Sequence, residues 1–337
     1  MVFLDNWGLF FAKSFSLLAL ILIFLVLFLA IAGKAKMKAR SGELEVKSLA
    51  EQLEEQQLSL WQETLSKKAL KSKLKAFKKA QKQAEKKKTK TSEPRLFVLN
   101  FKGDMQAGEA SNLSKEVTAL LQMVEHKDEV LVRIESPGGV VQNYGYAASQ
   151  LQRIRNHKIK LTVAVDKVAA SGGYLMACVA DQIIAAPFAI IGSIGVVAQV
   201  PNFHRWLDKK GIDFEQLYAG EYKRTITMFG KNTKEGRAKF EEQLEDIHAI
   251  FKDFIKEHRP QVDLKKVATG EHWLASDALK LKLVDRLETS DDYVLAAFNE
   301  GRALFEINFM QKKSLKAKLG NSMNMVIEKL SAPRLPF

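Results

Sequence analysis

From residue 95 onward the sequence alternates short apolar runs with helical patterns, and this alternation most limits the possible folds. Apolar runs at 96–101, 129–134, 161–165 and 182–186 predict strands. Helices are predicted at 110–124, 144–156, 172–179, 233–258, 276–281 and 291–300. Buried strands separated by helices of about 10–15 residues are typical of βα units around a mainly parallel sheet. The pattern therefore predicts an α/β domain over residues 94–305.

Composition excludes several classes of protein. With 47% hydrophobic and 27% charged residues, the chain can bury a sizeable core and is not disordered throughout. A single cysteine, Cys178, excludes an internal disulfide framework and a cysteine-rich metal site. The 52 basic residues outnumber the 39 acidic ones, and residues 1–93 hold 18 of the basic and 9 of the acidic residues. Most of the excess positive charge therefore lies before the α/β domain.

An apolar run at residues 15–32 carries no charge and only one polar side chain, Ser16. Eighteen such residues reach the length of a membrane-spanning helix at about 1.5 Å per residue. The rival interpretation is a cleaved signal peptide, since Ala30-Ile31-Ala32 resembles a cleavage site. The length of the run and the acidic Asp5 before it favour an uncleaved anchor over residues 1–33.

The flanking charges bear on which side of the membrane the domain occupies. Lys34, Lys36, Lys38 and Arg40 follow the apolar run, whereas Lys13 alone precedes it. The positive-inside rule predicts that everything after residue 33 is cytoplasmic. Long domains override this rule, so the side stays open at this point.

A lysine-rich stalk is predicted between the anchor and the domain, at residues 34–93. Residues 42–92 have a helical pattern, and 67–90 contain twelve lysines and one acid, Glu85. Contact with anionic lipid or nucleic acid is one interpretation. The absence of interleaved aromatic residues favours a solvated stalk and no nucleic-acid partner. A basic tail is predicted at 306–337.

Common signatures of metal, nucleotide and hydrolase sites are missing. The sequence has no HExxH, no GxxxxGK[ST] and no GxSxG. Its six histidines form no metal-spaced pair. We therefore expect neither a metal nor a cofactor.

Three glycine-rich turns follow predicted strands, at 135–140, 169–174 and 191–196. In the first, Pro-Gly-Gly leads into a helix, and glycines there expose backbone N–H groups able to hold an oxyanion. The second places Ser171 at the start of a helix between small residues. A structural turn and a helix-capping serine are the alternative interpretations, and both stay open.

A lysine follows these turns within residues 220–225. Most lysines are solvated, and Lys223 could be one of them. In a buried polar pocket, however, desolvation lowers the pKa of an amine, so that its neutral form can deprotonate a serine. A serine–lysine dyad is an established form of nucleophile activation that needs no histidine.

The four motifs SPGG, ASGGY, GSIGV and GEYKR, in this order and spacing, resemble the signal peptide peptidase A family of serine peptidases, peptidase family S49. The apolar N-terminus and lysine-rich stalk resemble its membrane-anchored SohB-type branch. The resemblance covers residues 95–300. It implies a crotonase-like (ClpP-like) fold of repeated ββα units.

The resemblance also implies a role for each motif residue. Ser171 would be the nucleophile, Lys223 its general base, and Ser193 the partner that orients the lysine. The backbone amides of the oxyanion hole would come from Gly138, Gly139 and Gly172. A single copy of the domain implies a homo-oligomer, in which the dyad forms within or between subunits.

The function implied is a membrane-anchored serine endopeptidase of the bacterial inner membrane. Its substrates would be extended apolar peptides, such as signal-peptide remnants or misfolded membrane and exported proteins. Exported substrates suggest the periplasmic side, against the flanking charges. A catalytically silent membrane scaffold is the alternative, and an acyl-CoA hydratase or isomerase of the same fold is a further one.

Overall fold

The computed structural model describes residues 20, 42–88 and 94–310. Apart from Leu20, the predicted anchor lies outside these residues, as does the tail after residue 310. Within the described ranges, no helix combines the length and apolar character needed to cross a bilayer. The larger of two compact units is Val46–Asn308, and the described residues on either side of it belong to the smaller one.

The described elements alternate along the chain much as the sequence predicts. The strands are β1 (Glu43–Ser48), β2 (Arg95–Lys102), β3 (Glu129–Glu135), β4 (Lys160–Val165), β5 (Val168–Ala170), β6 (Gln182–Ala185), β7 (Ile190–Gly192), β8 (His272–Leu274), β9 (Arg286–Leu287) and β10 (Ala303–Met310). The helices are α1 (Leu49–Thr64), α2 (Lys67–Lys88), α3 (Ala110–Leu120), α4 (Val141–Asn156), α5 (Gly172–Ala177), α6 (His204–Lys209), α7 (Lys234–His258), α8 (Leu264–Val267), α9 (Ala275–Lys280) and α10 (Ser290–Asn299).

A seven-stranded sheet in the order β1-β10-β2-β3-β4-β6-β9 forms the centre of the fold. All the pairs from β10 to β9 are parallel. Because parallel strands need crossover connections, helices cover both faces of such a sheet. The predicted α/β class is therefore confirmed.

A second sheet has three short strands in the order β5-β7-β8. The second and third glycine-rich turns follow its strands β5 and β7. β5 and β7 are parallel, and β8 is antiparallel to β7. Ser136, just after β3, bridges to Ala169 in β5, so the end of the large sheet continues into the small one. This places the residues after β3 beside those after β5.

The side chains of the central strands divide between two apolar clusters. In β2, Phe97, Leu99 and Phe101 belong to the larger cluster, with α3, α4 and α5, whereas Leu96 and Val98 face the smaller one, with α10. Alternate residues of a strand point to opposite faces of a sheet. Both faces of β2 are therefore buried, as its unbroken apolar run predicts.

The four strands predicted from apolar runs are confirmed as β2, β3, β4 and β6. The prediction of helix across residues 42–92 is wrong at its start, because Glu43–Ser48 forms β1. Its alternating side chains fit a strand better than a helix. The helical part is also divided at Leu65, and the ring of Trp61 in α1 meets that of Phe77 in α2 edge-on at 6.1 Å.

Candidate active site

Ser171 lies between β5 and α5 with a backbone conformation that side chains rarely adopt. Its φ is 51° and its ψ is −119°, and its N–H donates to the carbonyl of Gly192 at 2.7 Å. A non-glycine residue held there costs about 1–3 kcal/mol and persists only where its surroundings enforce it. The side chain makes no capping hydrogen bond to α5, so Ser171 does not act as a helix-capping serine. Its hydroxyl is therefore available for chemistry.

The turn after β3 packs directly against this serine. Gly138 has a φ of +91°, and a Cβ added there would lie 2.7 Å from Ser171 Cβ and 2.8 Å from Gly172 N. Only a glycine allows such an approach. The structure thus brings the first and second predicted turns into contact.

The amides of Gly138, Gly139 and Gly172 differ in their hydrogen-bond partners. The N–H of Gly138 donates to Ser136 Oγ at 3.1 Å. Within residues 94–310, no protein acceptor takes the N–H of Gly139 or of Gly172. Of the three, the amides of Gly139 and Gly172 are therefore the two without a protein acceptor in this part of the chain.

Ser193, in the third turn, follows the residue to which Ser171 is bonded. It also has a positive φ, 52°, after Gly192 at 104°, and its N–H donates to the carbonyl of Glu271 at 2.7 Å. The bond between Ser171 N–H and Gly192 O links the second turn to the third. Three of the four sequence motifs therefore meet at one place.

Lys223 is exposed. It lies in a turn, and its backbone N–H donates to the carbonyl of Gly220 at 3.1 Å. In the described part of the chain, no hydrogen bond or ion pair joins its side chain to Ser171 or Ser193. Within the described residues of one chain, the fourth motif is therefore not bonded to the catalytic candidates of the other three.

Large apolar side chains are exposed throughout the segment that carries Lys223. They include Val197, Val200, Trp206, Ile212, Leu217, Tyr218, Tyr222 and Phe229. The largest exposed apolar patches of soluble monomers commonly mark sites of interaction. We call residues 197–229 the apolar segment.

One residue near the turns, Tyr144, was missed by the sequence analysis. Tyr144 in α4 is fully buried, and its Oη lies 2.6 Å from Ser136 Oγ. The pattern that could have revealed it is the apolar face of α4, where Tyr144 precedes Ala147, Ala148 and Leu151. A tyrosine on such a face brings a hydroxyl that needs a partner in the core.

Cys178, the other possible nucleophile near α5, is wholly buried. Burial raises the pKa of its thiol well above the usual range. Because the thiolate is the nucleophilic form, Cys178 is inert.

Among the described residues, no three His, Cys, Asp or Glu side chains gather in a metal-binding group.

Comparison with known proteins tests the resemblance that the motifs suggest. The model of "Peptidase family S49" matches residues 153–303, and that of "Peptidase family S49 N-terminal" matches residues 2–151. A relative from Haemophilus influenzae named "Probable protease SohB" is 48% identical, across 94% of this chain and 92% of its own. Another of that name, from Buchnera aphidicola subsp. Schlechtendalia chinensis, is 46% identical, across 88% of this chain and 100% of its own. The chain therefore belongs to peptidase family S49.

Proposed function

We propose that the chain is a serine endopeptidase whose nucleophile is Ser171. The observation that carries this proposal is the strained backbone of Ser171, with an uncapped hydroxyl held against the turn at Gly138. Strained residues of this kind cluster at active sites. A crotonase-like arrangement is supported by the parallel sheet that continues into a smaller one beside the serine.

The oxyanion hole of the proposed enzyme is formed by the amides of Gly139 and Gly172. Gly172 directly follows Ser171 and Gly139 directly follows Gly138, which packs against the serine, and neither amide is taken by a protein acceptor in residues 94–310. Gly138 contributes its conformation, which lets the turn approach the serine, because its own amide is bonded to Ser136. Loss of one oxyanion donor typically slows a reaction by about 100- to 1000-fold.

Lys223 is the proposed general base, supplied by a neighbouring subunit of a homo-oligomer. Two observations support this: Lys223 is exposed in the single chain, and the apolar segment around it is exposed as well. Contact between subunits would cover both. An amine that loses water favours its neutral form, which is the form that takes a proton.

In the proposed reaction, the neutral amine of Lys223 takes the proton of Ser171 as Oγ attacks a peptide carbonyl carbon. The amides of Gly139 and Gly172 stabilise the oxyanion, and the lysine returns the proton to the leaving amine. Water then hydrolyses the acyl-enzyme with the same lysine as base. Ser193 is proposed to accept a hydrogen bond from the lysine and orient it.

The proposed substrates are extended apolar peptides, such as signal-peptide remnants or misfolded membrane and exported proteins. The proposed location is the bacterial inner membrane, with residues 15–32 as a single anchor in the lipid bilayer. The apolar character of that run supports the anchor. Exported substrates favour the periplasmic side for the catalytic domain.

The test is cleavage of casein by the full chain purified in detergent. Ser171→Ala and Lys223→Ala should each abolish cleavage while the protein folds and assembles like the wild type. Lys231→Ala is the matched control, because Lys231 is an exposed lysine eight positions further along. It should leave the rate unchanged. Cleavage that survives Ser171→Ala would refute the proposal.

Mixing the two inactive variants tests whether the dyad forms between subunits. An oligomer containing both Ser171→Ala and Lys223→Ala subunits can pair an intact serine with an intact lysine only across a subunit contact. We expect cleavage to return on mixing. Mixed oligomers that stay inactive would place the dyad within one chain.

A further inference from the structure

A chain of three hydrogen bonds links the glycine turn after β3, at residues 135–140, through buried Tyr144 to the backbone carbonyl of Asp104. Tyr144 Oη donates to the carbonyl of Asp104 at 2.7 Å. Since a tyrosine has one hydroxyl proton, Tyr144 Oη must accept from Ser136 Oγ, 2.6 Å away. Ser136 Oγ in turn accepts from the N–H of Gly138 at 3.1 Å. The direction of every bond in the chain is thus determined.

The ring of Tyr144 contacts the second turn of the candidate site, at Gly172. A Cβ added to Gly172 would lie 2.4 Å from Tyr144 Cγ, so the ring packs directly against that residue. A Cβ on Gly103 would lie 2.4 Å from Tyr144 Oη and 2.5 Å from Ser136 Oγ. The space around the two hydroxyls therefore leaves no room for another side-chain atom.

The loop that carries the final acceptor, the carbonyl of Asp104, is itself hydrogen-bonded next to the glycine turn. Val140 N–H donates to the carbonyl of Met105 at 2.9 Å, and Asn143 Nδ2 donates to the carbonyl of Gln106 at 2.7 Å. The two residues that follow Asp104 are thereby bonded to the end of the turn and to the first helical turn of α4. Tyr144 thus bonds to a fixed point.

We propose that Tyr144 is a positioning residue for the oxyanion hole. Through Ser136, its hydroxyl sets the turn that carries the Gly139 amide, and its ring supports Gly172. One side chain thereby sets the spacing of both donors. This inference deepens the proposed function and rests on it.

The hydroxyl is suited to this role because it keeps its proton. Burial raises the pKa of Tyr144, and the hydrogen bond from Ser136 only partly opposes that effect. A neutral hydroxyl can donate and accept at once, which the chain of bonds requires. A phenylalanine would keep the ring contact with Gly172 and lose the link to Ser136.

The test compares Tyr144→Phe with Tyr174→Phe in the full chain. Tyr174 is equally buried, and its hydroxyl donates to the carbonyl of Leu283 at 3.0 Å, away from the glycine turn. Each variant loses one buried hydroxyl, so both should lower the melting temperature. Only Tyr144→Phe should lower kcat, by about 10-fold, because a misplaced donor costs less than a missing one. KM should stay within about twofold.

Inhibition by a peptide aldehyde is a second measurement, and a loss of stability alone would not change its inhibition constant. The adduct of the aldehyde with Ser171 places an oxygen at the oxyanion position, so the inhibition constant should rise with Tyr144→Phe as kcat falls. The affinity of the matching product peptide should not change. Ser136→Ala should act in the same way, and the double variant should lose no more than the worse single variant.

The outcomes separate the inference from the proposed function. If cleavage depends on Ser171 but Tyr144→Phe and Ser136→Ala retain full kcat and aldehyde affinity, Tyr144 is structural only and the inference is wrong. If the Ser171→Ala variant cleaves casein as fast as the wild type, the proposed function fails and the inference fails with it. If Tyr144→Phe does not fold, the kcat and aldehyde affinity of Ser136→Ala decide the question alone.

Discussion

At the scale of single residues, Gly138 is the position where one added carbon should do most harm. A Cβ there would lie 2.7 Å from Ser171 Cβ, and φ is +91°. Gly138→Ala must therefore displace the serine or the turn. We expect a loss of at least about 100-fold in kcat, comparable to losing an oxyanion donor. The strained φ should also cost about 1–2 kcal/mol of unfolding free energy.

The control for this change is Gly145→Ala, seven residues further along in α4. A Cβ at Gly145 would meet nothing within 4 Å. An alanine in a helix interior is about 1 kcal/mol more favourable than a glycine. Gly145→Ala should thus raise the melting temperature and leave the cleavage rate unchanged. Full activity of Gly138→Ala would show that the turn does not hold the serine.

At the scale of elements, an ion pair joins the starts of β2 and β3. The Asp128 carboxylate is fully buried and accepts from Arg95 Nε at 3.1 Å and Nη2 at 2.6 Å. Burial alone would raise the pKa of Asp128, but the bonds from Arg95 and from two backbone amides outweigh it. The net effect lowers the pKa below its usual value.

The lowered pKa of Asp128 predicts how stability changes in acid. The folded state binds the proton less readily than the unfolded chain, so the stabilisation is complete above the unfolded pKa of about 4. It is lost as the pH falls through the lower folded value. Asp128→Asn should remove this part of the acid dependence, as melting temperatures between pH 7 and pH 3 would show.

Arg95→Met should leave the buried carboxylate of Asp128 without its cation. We expect it to lose about 3 kcal/mol of unfolding free energy at pH 7. The loss relative to wild type should shrink in acid, where Asp128 takes up a proton. A loss that does not change with pH would show that Arg95 acts through packing alone.

Element length explains part of which strands the sequence-based prediction found. β2, β3, β4 and β6 are apolar runs long enough to be recognised. By contrast, β5, β7 and β8 have three residues each and β9 has two, too few to show a period. β10 pairs with β2 although some 200 residues separate them in sequence. Such a pairing depends on tertiary contacts, and local pattern does not reveal it.

At the scale of the whole molecule, the apolar segment should decide both assembly and activity. The side chain of Leu217 is 93% exposed, so Leu217→Glu should barely affect folding of the single chain. We expect it to break the oligomer and abolish cleavage together. Light scattering in detergent and casein cleavage measure the two effects.

The matched control for Leu217→Glu is Met123→Glu, at a 52% exposed position outside the apolar segment. It should leave mass and rate unchanged. If Leu217→Glu keeps the wild-type mass and rate, the apolar segment is not the subunit contact.

The candidate site was predictable to the extent that backbone turns determine it. The sequence places Ser171, Gly138 and Ser193 just after strands, and the strand ends bring them together. Lys223 is different, because one chain leaves it exposed. Tyr144 was missed because burial of its hydroxyl depends on how α4 packs on the turn.

The backbone angles of Ser171 have a consequence for anyone who engineers this chain. Glycine adopts a φ of 51° and a ψ of −119° without the penalty that a serine carries. The variant Ser171→Gly, which lacks the hydroxyl, would therefore resist heat better than the parent. A library ranked by thermal tolerance would enrich such inert sequences, so selection must couple survival to turnover.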